Sequence, residues 1–511
     1  MDIKRRHWKA AVAPLALVLL AMTGCESTPG AAAEPPKAAP STPAARSVAR
    51  VCAKPAPGPD KAPAGAVTVD PKVVGDLAAK TKSSPPNTTF WLRPGRHRLD
   101  PDRFAQVIPK KGDRYLGAPG AVLDGRKKNQ YAFGGTAPDV TVGHLTVQHF
   151  VAPRDEGVVN HDSADGWVIE HATIQYNSGA GLMAGVRQQV RANCLRENGQ
   201  YGMNAYKSGG PLRGLVVEDN EIVGNNTGDW ERRQKGCGCT GGVKFWAVDR
   251  ADIRGNWVHD NRGTGLWADT NNNDFRIENN VFEANDGAAL IYEISYNAVI
   301  RNNTIRRNNW VEGRKAAERG DTFPFATVYL SESGGEPRVR ARTDRIEVYR
   351  NVLEDNWSGI TLWENADRFC NSPANTSSGD CTLLVKGTDR CADPAIAKAP
   401  LYDDCRWKTQ RVDIHHNRFT LDKSVVKCTA KCGLMAVLAN YGTYPDWSPY
   451  QGERVAEAIT TGQHNRWHDN VYVGPWKFVA HDPSRVLDFG QWQGTPYRQD
   501  KGSTLDPRGG G

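Results

Sequence analysis

Two consecutive stretches, IRGNWVHDNRGTGL (residues 253–266) and IENNVFEANDGAAL (residues 277–290), share one frame. An apolar residue is followed three positions later by Asn, a second Asn comes five residues after the first, and a glycine then opens an alternating apolar run. The frame recurs in VRANCLRENGQYGM (190–203), VEDNEIVGNN (217–226), IRNNTIRRNN (300–309) and VYRNVLEDNWSGI (348–360), with weaker copies around Asn417 and Asn470. Ala172 takes the first-Asn slot in VIEHATIQYN. Where nothing intervenes, the unit is 21 to 24 residues long. Asn tolerates the left-handed backbone of a sharp corner, and amides stacked turn over turn can bond in a ladder. The apolar residues alternate with period 2, so each short strand sends one face inward. Leucine-rich repeats share the period but need a consensus absent here, and propeller blades are longer. The pattern predicts an all-β chain: a single right-handed parallel β-helix with Asn ladders and long loop insertions.

The flanks extend this reading. FWLRPGRHRL (90–99) and IPKKGDRYLGAPGAVLDG (108–125) precede the repeats, and WQGTPYRQDKGST (492–504) follows them. With the repeats between them, they make residues 88–505 resemble the bacterial secreted right-handed parallel β-helix proteins, the pectate-lyase-like superfamily in the broad sense. The resemblance implies a first strand and capping segment leading into the coil, a closing segment at its end, and polysaccharide as the usual substrate class. It leaves the reaction open, because lyases, hydrolases, epimerases and non-catalytic adhesins share such a coil.

The first 25 residues read as an export signal. MDIKRRHWK is basic, AAVAPLALVLLAM is apolar but too short to span a bilayer, and Thr-Gly-Cys follows. Cleavage before Cys25 with a lipid on its sulfur is the favoured reading, and ordinary secretion is the alternative. Residues 26–66 are rich in Ala, Pro, Ser and Gly and read as a linker. The coil is expected over 67–505, and 506–511 as a tail. The formal charge of +8 falls to +5 once Lys4, Arg5, Arg6, Lys9 and Asp2 leave with the signal. That is mild, and with no continuous basic run it argues against nucleic-acid binding. Ten cysteines besides Cys25 suit disulfides in an exported chain, with local pairing expected for Cys370/Cys381, Cys391/Cys405 and Cys428/Cys432. Cys237-Gly-Cys239 reads as two structural half-cystines rather than a metal or redox motif.

Aligning coils on their asparagines sets GLMAG (181–185), GMNAY (202–206), GVKFW (242–246), GLWAD (265–269) and ALIYE (289–293) side by side. Leu182, Met203, Val243, Leu266 and Leu290 then point inward. Asp269 and Glu293 share one outward column on adjacent turns, with Tyr206 and Trp246 in the same column. Lys244 and Trp267 lie two residues before it. Glu332 and Glu364 reach nearly the same place but are one residue out of register, which would need a bulge. Like charges directly opposed destabilise a plain sheet, so Asp269 and Glu293 are the candidate catalytic acids. Tyr206, Lys244, Trp246, Trp267, Glu332 and Glu364 are the candidate sugar contacts. The bland alternative is that insertions cover the aromatics and loop cations neutralise the acids. Insertions at 225–242 and 308–325 should stand on one edge of this wall; their Arg and Lys residues either meet uronate carboxylates or solvate the loops. Residues 366–411 form a third excursion. The histidines, His415-His416 among them, read as structural or surface residues, and no metal-binding spacing is present.

Three functions fit. The leading one is an extracellular glycoside hydrolase working through the carboxylate pair. The second is a polysaccharide lyase or uronan epimerase using Lys244, Arg232 and Arg233, with Asp269 and Glu293 as Ca²⁺ ligands in that case; no other cofactor is implied. The third is a non-catalytic surface glycan binder. All three put a monomer outside the cell membrane, lipid-anchored or secreted, with a polysaccharide as partner.

Overall fold

The computed structural model describes residues 48, 50–234, 236–239, 241–373, 388–443 and 445–508. The signal segment, Cys25 and Cys381 lie outside these residues. The chain is a right-handed parallel β-helix whose coils stack into three walls. Among the described residues, two walls have 13 strands each and the third has 11, all parallel apart from the final pairing of Lys477–His481 with Val486–Leu487. Most strands are three to seven residues long because each coil must turn three corners. Among the described residues helices are short, the longest being Asp76–Ser83 ahead of the coil and Trp310–Glu318 in an insertion.

The inward stack follows the apolar alternation. Leu182, Met203, Val243, Leu266, Leu290, Val328 and Ile360 pair strand to strand, each at most 2% exposed. Burying a side chain of this size is worth about 1.5–3 kcal/mol, so every coil adds its own share of core.

Two buried Asn ladders run up the corners. In the first, Asn193, Asn220, Asn256, Asn280, Asn303, Asn351, Asn417 and Asn470 each donate Nδ2 to the next Oδ1 at 2.9–3.1 Å. The last donates to Asp500 Oδ1 at 3.0 Å. The second runs from Asn177 through Asn198, Asn225, Asn261, Asn285 and Asn308 to Asn356. One expectation needs correction. The left-handed residue is not the ladder Asn but the one before it: Ala192, Asp219, Gly255, Asn279, Asn302, Arg350, His416 and Asp469 in the first ladder. The turn is made one residue early so that the Asn amide can point inward.

Asp500 closes the far end. It also accepts from Trp492 Nε1 at 2.7 Å and Tyr472 Oη at 2.9 Å, which places the helix Phe489–Gln493 across the last coil. Within the stretch expected to be linker, residues between Arg50 and Pro59 touch the coil. Cys52 is disulfide-bonded to Cys194, and Trp91 Nε1 donates to Pro59 O. Disulfides also join Cys237 to Cys239, Cys391 to Cys405 and Cys428 to Cys432, and Cys370 is bonded as well. These pairings fit an oxidising compartment.

Candidate active site

Three neighbouring strands of the third wall, Gly241–Phe245, Thr264–Ala268 and Leu290–Glu293, build the site. Their register sets Lys244, Trp267 and Ile291 in one outward column. Phe245, Ala268 and Tyr292 follow, facing inward and fully buried. The next outward position is therefore Trp246, then Asp269, then Glu293, with Tyr206 one coil earlier because Ala205 pairs with Phe245. Adjacent rungs of a sheet lie about 4.8 Å apart, so the two acids are direct neighbours.

Beyond Glu293 the column continues to Ser331 and Trp363. No bulge brings in Glu332 and Glu364. They sit one step further along, at the strand ends, 1% and 0% exposed. Glu364 is saturated by Arg406 Nη2 at 2.7 Å, Thr409 N at 2.8 Å and Gln463 Nε2. It cannot touch a sugar, which corrects its assignment; the excursion 366–411 encloses it. Glu332 accepts from Arg368 Nη1 at 2.6 Å and Asn365 N at 3.1 Å, and it too is structural.

A cation flanks each acid. Lys244 Nζ lies 2.7 Å from Asp269 Oδ2, whose other oxygen accepts from Thr270 N and Oγ1 at 2.8 and 3.0 Å. Glu293 accepts from Trp267 Nε1 at 3.1 Å and from Arg368 Nη1 at 3.2 Å. Each of the two acids keeps 15% of its side chain exposed. Burial raises the Glu293 carboxyl above its ordinary value, and the Asp269 charge adds to that; Arg368 and Lys244 oppose it. Burial likewise pushes Glu332 up to about 7. Ile294, the residue after Glu293, is buried with Tyr296 and Trp407.

The loops explain several residues. Gly238, at φ 56°, lies so close to Trp267 that a Cβ there would stand 3.0 Å from the indole edge. Its carbonyl accepts from Lys244 Nζ, and Lys244 Nζ also faces the Trp267 ring at 3.9 Å. The Cys237–Cys239 disulfide thus pins a backbone carbonyl onto the site, a structural task. Residues of both insertions, 225–242 and 308–325, meet beside the wall. Between them lies a cleft of about 630 Å³ lined by Trp267, Ile291, Tyr329, Phe323 and Phe325. Its rim is mixed, with Asp229, Glu231, Asp286 and Glu312 beside Arg262 and Lys315. Arg232 turns to Asp229 at 2.7 Å and Arg233 lies over Trp230, so neither joins Lys244 as expected for a uronate clamp. Tyr206 and Trp246 are 47% exposed and half-buried respectively.

Tyr329, Phe323 and Arg368 were not foreseen. Tyr329 continues the Lys244–Trp267–Ile291 column and would have emerged from aligning YLSES one residue earlier. Arg368 comes from an excursion without period. Asp269 and Glu293, the Ca²⁺ ligands expected for a lyase, are paired with Lys244 and Arg368 respectively.

Residues 157–343 match a family model described as right handed beta helix region. No curated protein matches the sequence. Similar solved structures include the Azotobacter vinelandii mannuronan C-5 epimerase AlgE6 A-module, at 13% identity, TM-score 0.39, covering 59% of this chain and 86% of that one. The periplasmic alginate epimerase AlgG shows 13% identity and TM-score 0.39 over 68% of this chain and 78% of its own. PfbA, a surface adhesin of Streptococcus pneumoniae, shows 8% identity and TM-score 0.37 over 56% and 82%.

Proposed function

We propose that the protein is an exported, Cys25-anchored enzyme that hydrolyses a polysaccharide on the outer face of the third wall. One observation carries this reading: neighbouring carboxylates stand in unlike settings. Asp269 is ion-paired to Lys244 at 2.7 Å and takes two further bonds from Thr270, while Glu293 meets Arg368 at the longer 3.2 Å and is raised towards its protonated form by burial and by Asp269. Unlike settings for two adjacent carboxylates are how one group serves as acid and its partner as nucleophile or base. Adjacent rungs lie about 4.8 Å apart in backbone, and splay of the side chains allows either the roughly 5–5.5 Å carboxyl separation of retaining hydrolases or the roughly 6.5–9.5 Å of inverting ones. Glu293 would protonate the leaving oxygen, Asp269 would attack the anomeric carbon or activate water, and Trp267 would stack on a sugar at the mouth of the aromatic cleft. Because Glu293 must be protonated, activity falls as pH rises through its elevated pKa.

A second reading is favoured by the two cations that flank the acids, Lys244 and Arg368. They would neutralise a uronate carboxylate in a lyase or epimerase. A glycan panel read for both reducing ends and unsaturated-uronate absorbance separates the two. New reducing ends without absorbance support hydrolysis. Absorbance, or inverted uronate without cleavage, supports the second reading, and binding without any product removes both.

A further inference from the structure

The repeat that builds the acid pair builds a second array at another corner, between the first two walls near the end of the coil. His415 and His468 are paired residues on adjacent rungs, and their rings stack at 4.9 Å and 6°. Tyr349 extends the stack from the preceding rung, 5.0 Å from His415. The next residues along, His416 and Asp469, are the left-handed corner residues just before ladder Asn417 and Asn470. Four side chains therefore stand two by two, His415-His416 on one rung and His468-Asp469 on the next. Ladder and stacking fix this placement, not a loose loop.

The chemistry of the array is that of a metal ligand set. A ring nitrogen each from His416 and His468 and a carboxylate oxygen of Asp469 all lie within 4.8 Å of one another. His468 Nε2 is bonded to Asp413 Oδ1 at 2.9 Å, and the other Asp413 oxygen takes Arg466 and Arg345. This carboxylate–imidazole contact orients the ring and turns Nδ1 towards Asp469 Oδ2, 2.7 Å away. His415 Nδ1 meets His416 Nδ1 at 2.8 Å and holds the second ring in the same way. His416 and Asp469 are exposed and His468 is half-buried, so an ion has access and room for a solvent ligand.

We propose that His416, His468 and Asp469 bind one borderline divalent ion of the Zn²⁺ class, with Asp413 and His415 as orienting neighbours. Two imidazoles and one carboxylate with an open fourth position suit Zn²⁺ far better than Ca²⁺ or Mg²⁺, which take oxygen donors. The ligands come from rungs 53 residues apart in sequence, so the ion would clasp the two rungs across the intervening insertion. This site is independent of the acid pair and of the function proposed for it.

The test uses the purified, chelator-treated protein. Titration with ZnCl₂ in a calorimeter should give one ion per chain, and titration with CoCl₂ should give visible absorption bands of a nitrogen-ligated, low-coordinate site. His416→Ala, His468→Ala and Asp469→Asn should each weaken Zn²⁺ binding at least tenfold, while His464→Ala, an exposed histidine outside the array, should not. Absence of a one-to-one Zn²⁺ heat, octahedral aquo-like Co²⁺ spectra in the unmutated protein, or undiminished binding by the folded His416→Ala/His468→Ala double variant would overturn the proposal. The Co²⁺ spectrum decides the matter even if a variant fails to fold.

Discussion

Glu332 stands one step past the outward column, 1% exposed, with Arg368 at 2.6 Å. Its carboxyl titrates at 4.5 when free and at about 7 here, with burial as the main cause. Between those values the folded chain binds more protons than the unfolded one. The contribution of this group is thus complete below pH 4.5 and lost as the pH rises through 7. Glu332→Gln should remove that dependence: between pH 5 and pH 8 the unmutated protein should lose about 1–3 kcal/mol more unfolding free energy than the variant. Urea titrations at the two pH values measure it, and parallel losses would show that Glu332 is not the titrating group. Individual roles were only partly legible in the sequence. The period located Lys244, Trp267, Asp269 and Glu293 because each lies on a strand or, for Asp269, one residue past its end, whereas Arg368 and Arg406 arrive from an excursion that obeys no period. Glu332 and Glu364 looked like surface acids because nothing in their local pattern announces the loop that buries them.

A ladder rung binds its neighbours on both sides. Asn280 donates Nδ2 to Ile253 O and Asn303 Oδ1, while its own Oδ1 accepts from the backbone and side-chain nitrogens of Asn256. Asn280→Ala leaves those buried groups unpaired and should cost roughly 1–3 kcal/mol, read as a lower melting temperature; an unchanged melting curve would count against the ladder. The register of the third wall makes a sharper demand. Leu266→Asp should prevent folding, because its side chain stands in the inward stack beside Val243 and Leu290, whereas Tyr206→Asp, at a 47% exposed position, should leave the melting temperature within a few degrees; the two melting curves check this. Elements were the most legible scale, since Asn spacing and period 2 are both dictated by the coil. The corner conformation was misplaced by one residue: an asparagine whose amide must face two neighbours cannot also supply the turn, so Ala192, Arg350 or His416 takes it.

For the whole molecule, the Cys52–Cys194 bond ties the N-terminal segment to the coil across 142 residues. Cys52→Ser should destabilise the protein by about 2–4 kcal/mol, visible as a lower melting temperature. Composition could not reveal this tie, because a Pro- and Ala-rich stretch held by one disulfide and a few backbone bonds reads like free linker. The overall coil, by contrast, could be read from eight spaced asparagines and the apolar runs between them. Function is the least legible level, since the same coil serves several chemistries, and it rests on the paired settings of Asp269 and Glu293. The most direct measurement is turnover by Asp269→Asn and Glu293→Gln on the glycan that the unmutated protein cleaves, alongside their melting curves. Each variant should lose most turnover, at least about 100-fold as for removal of an acid–base group, while still unfolding cooperatively above the assay temperature. Full activity in either folded variant would contradict the assignment and move the site elsewhere on the coil.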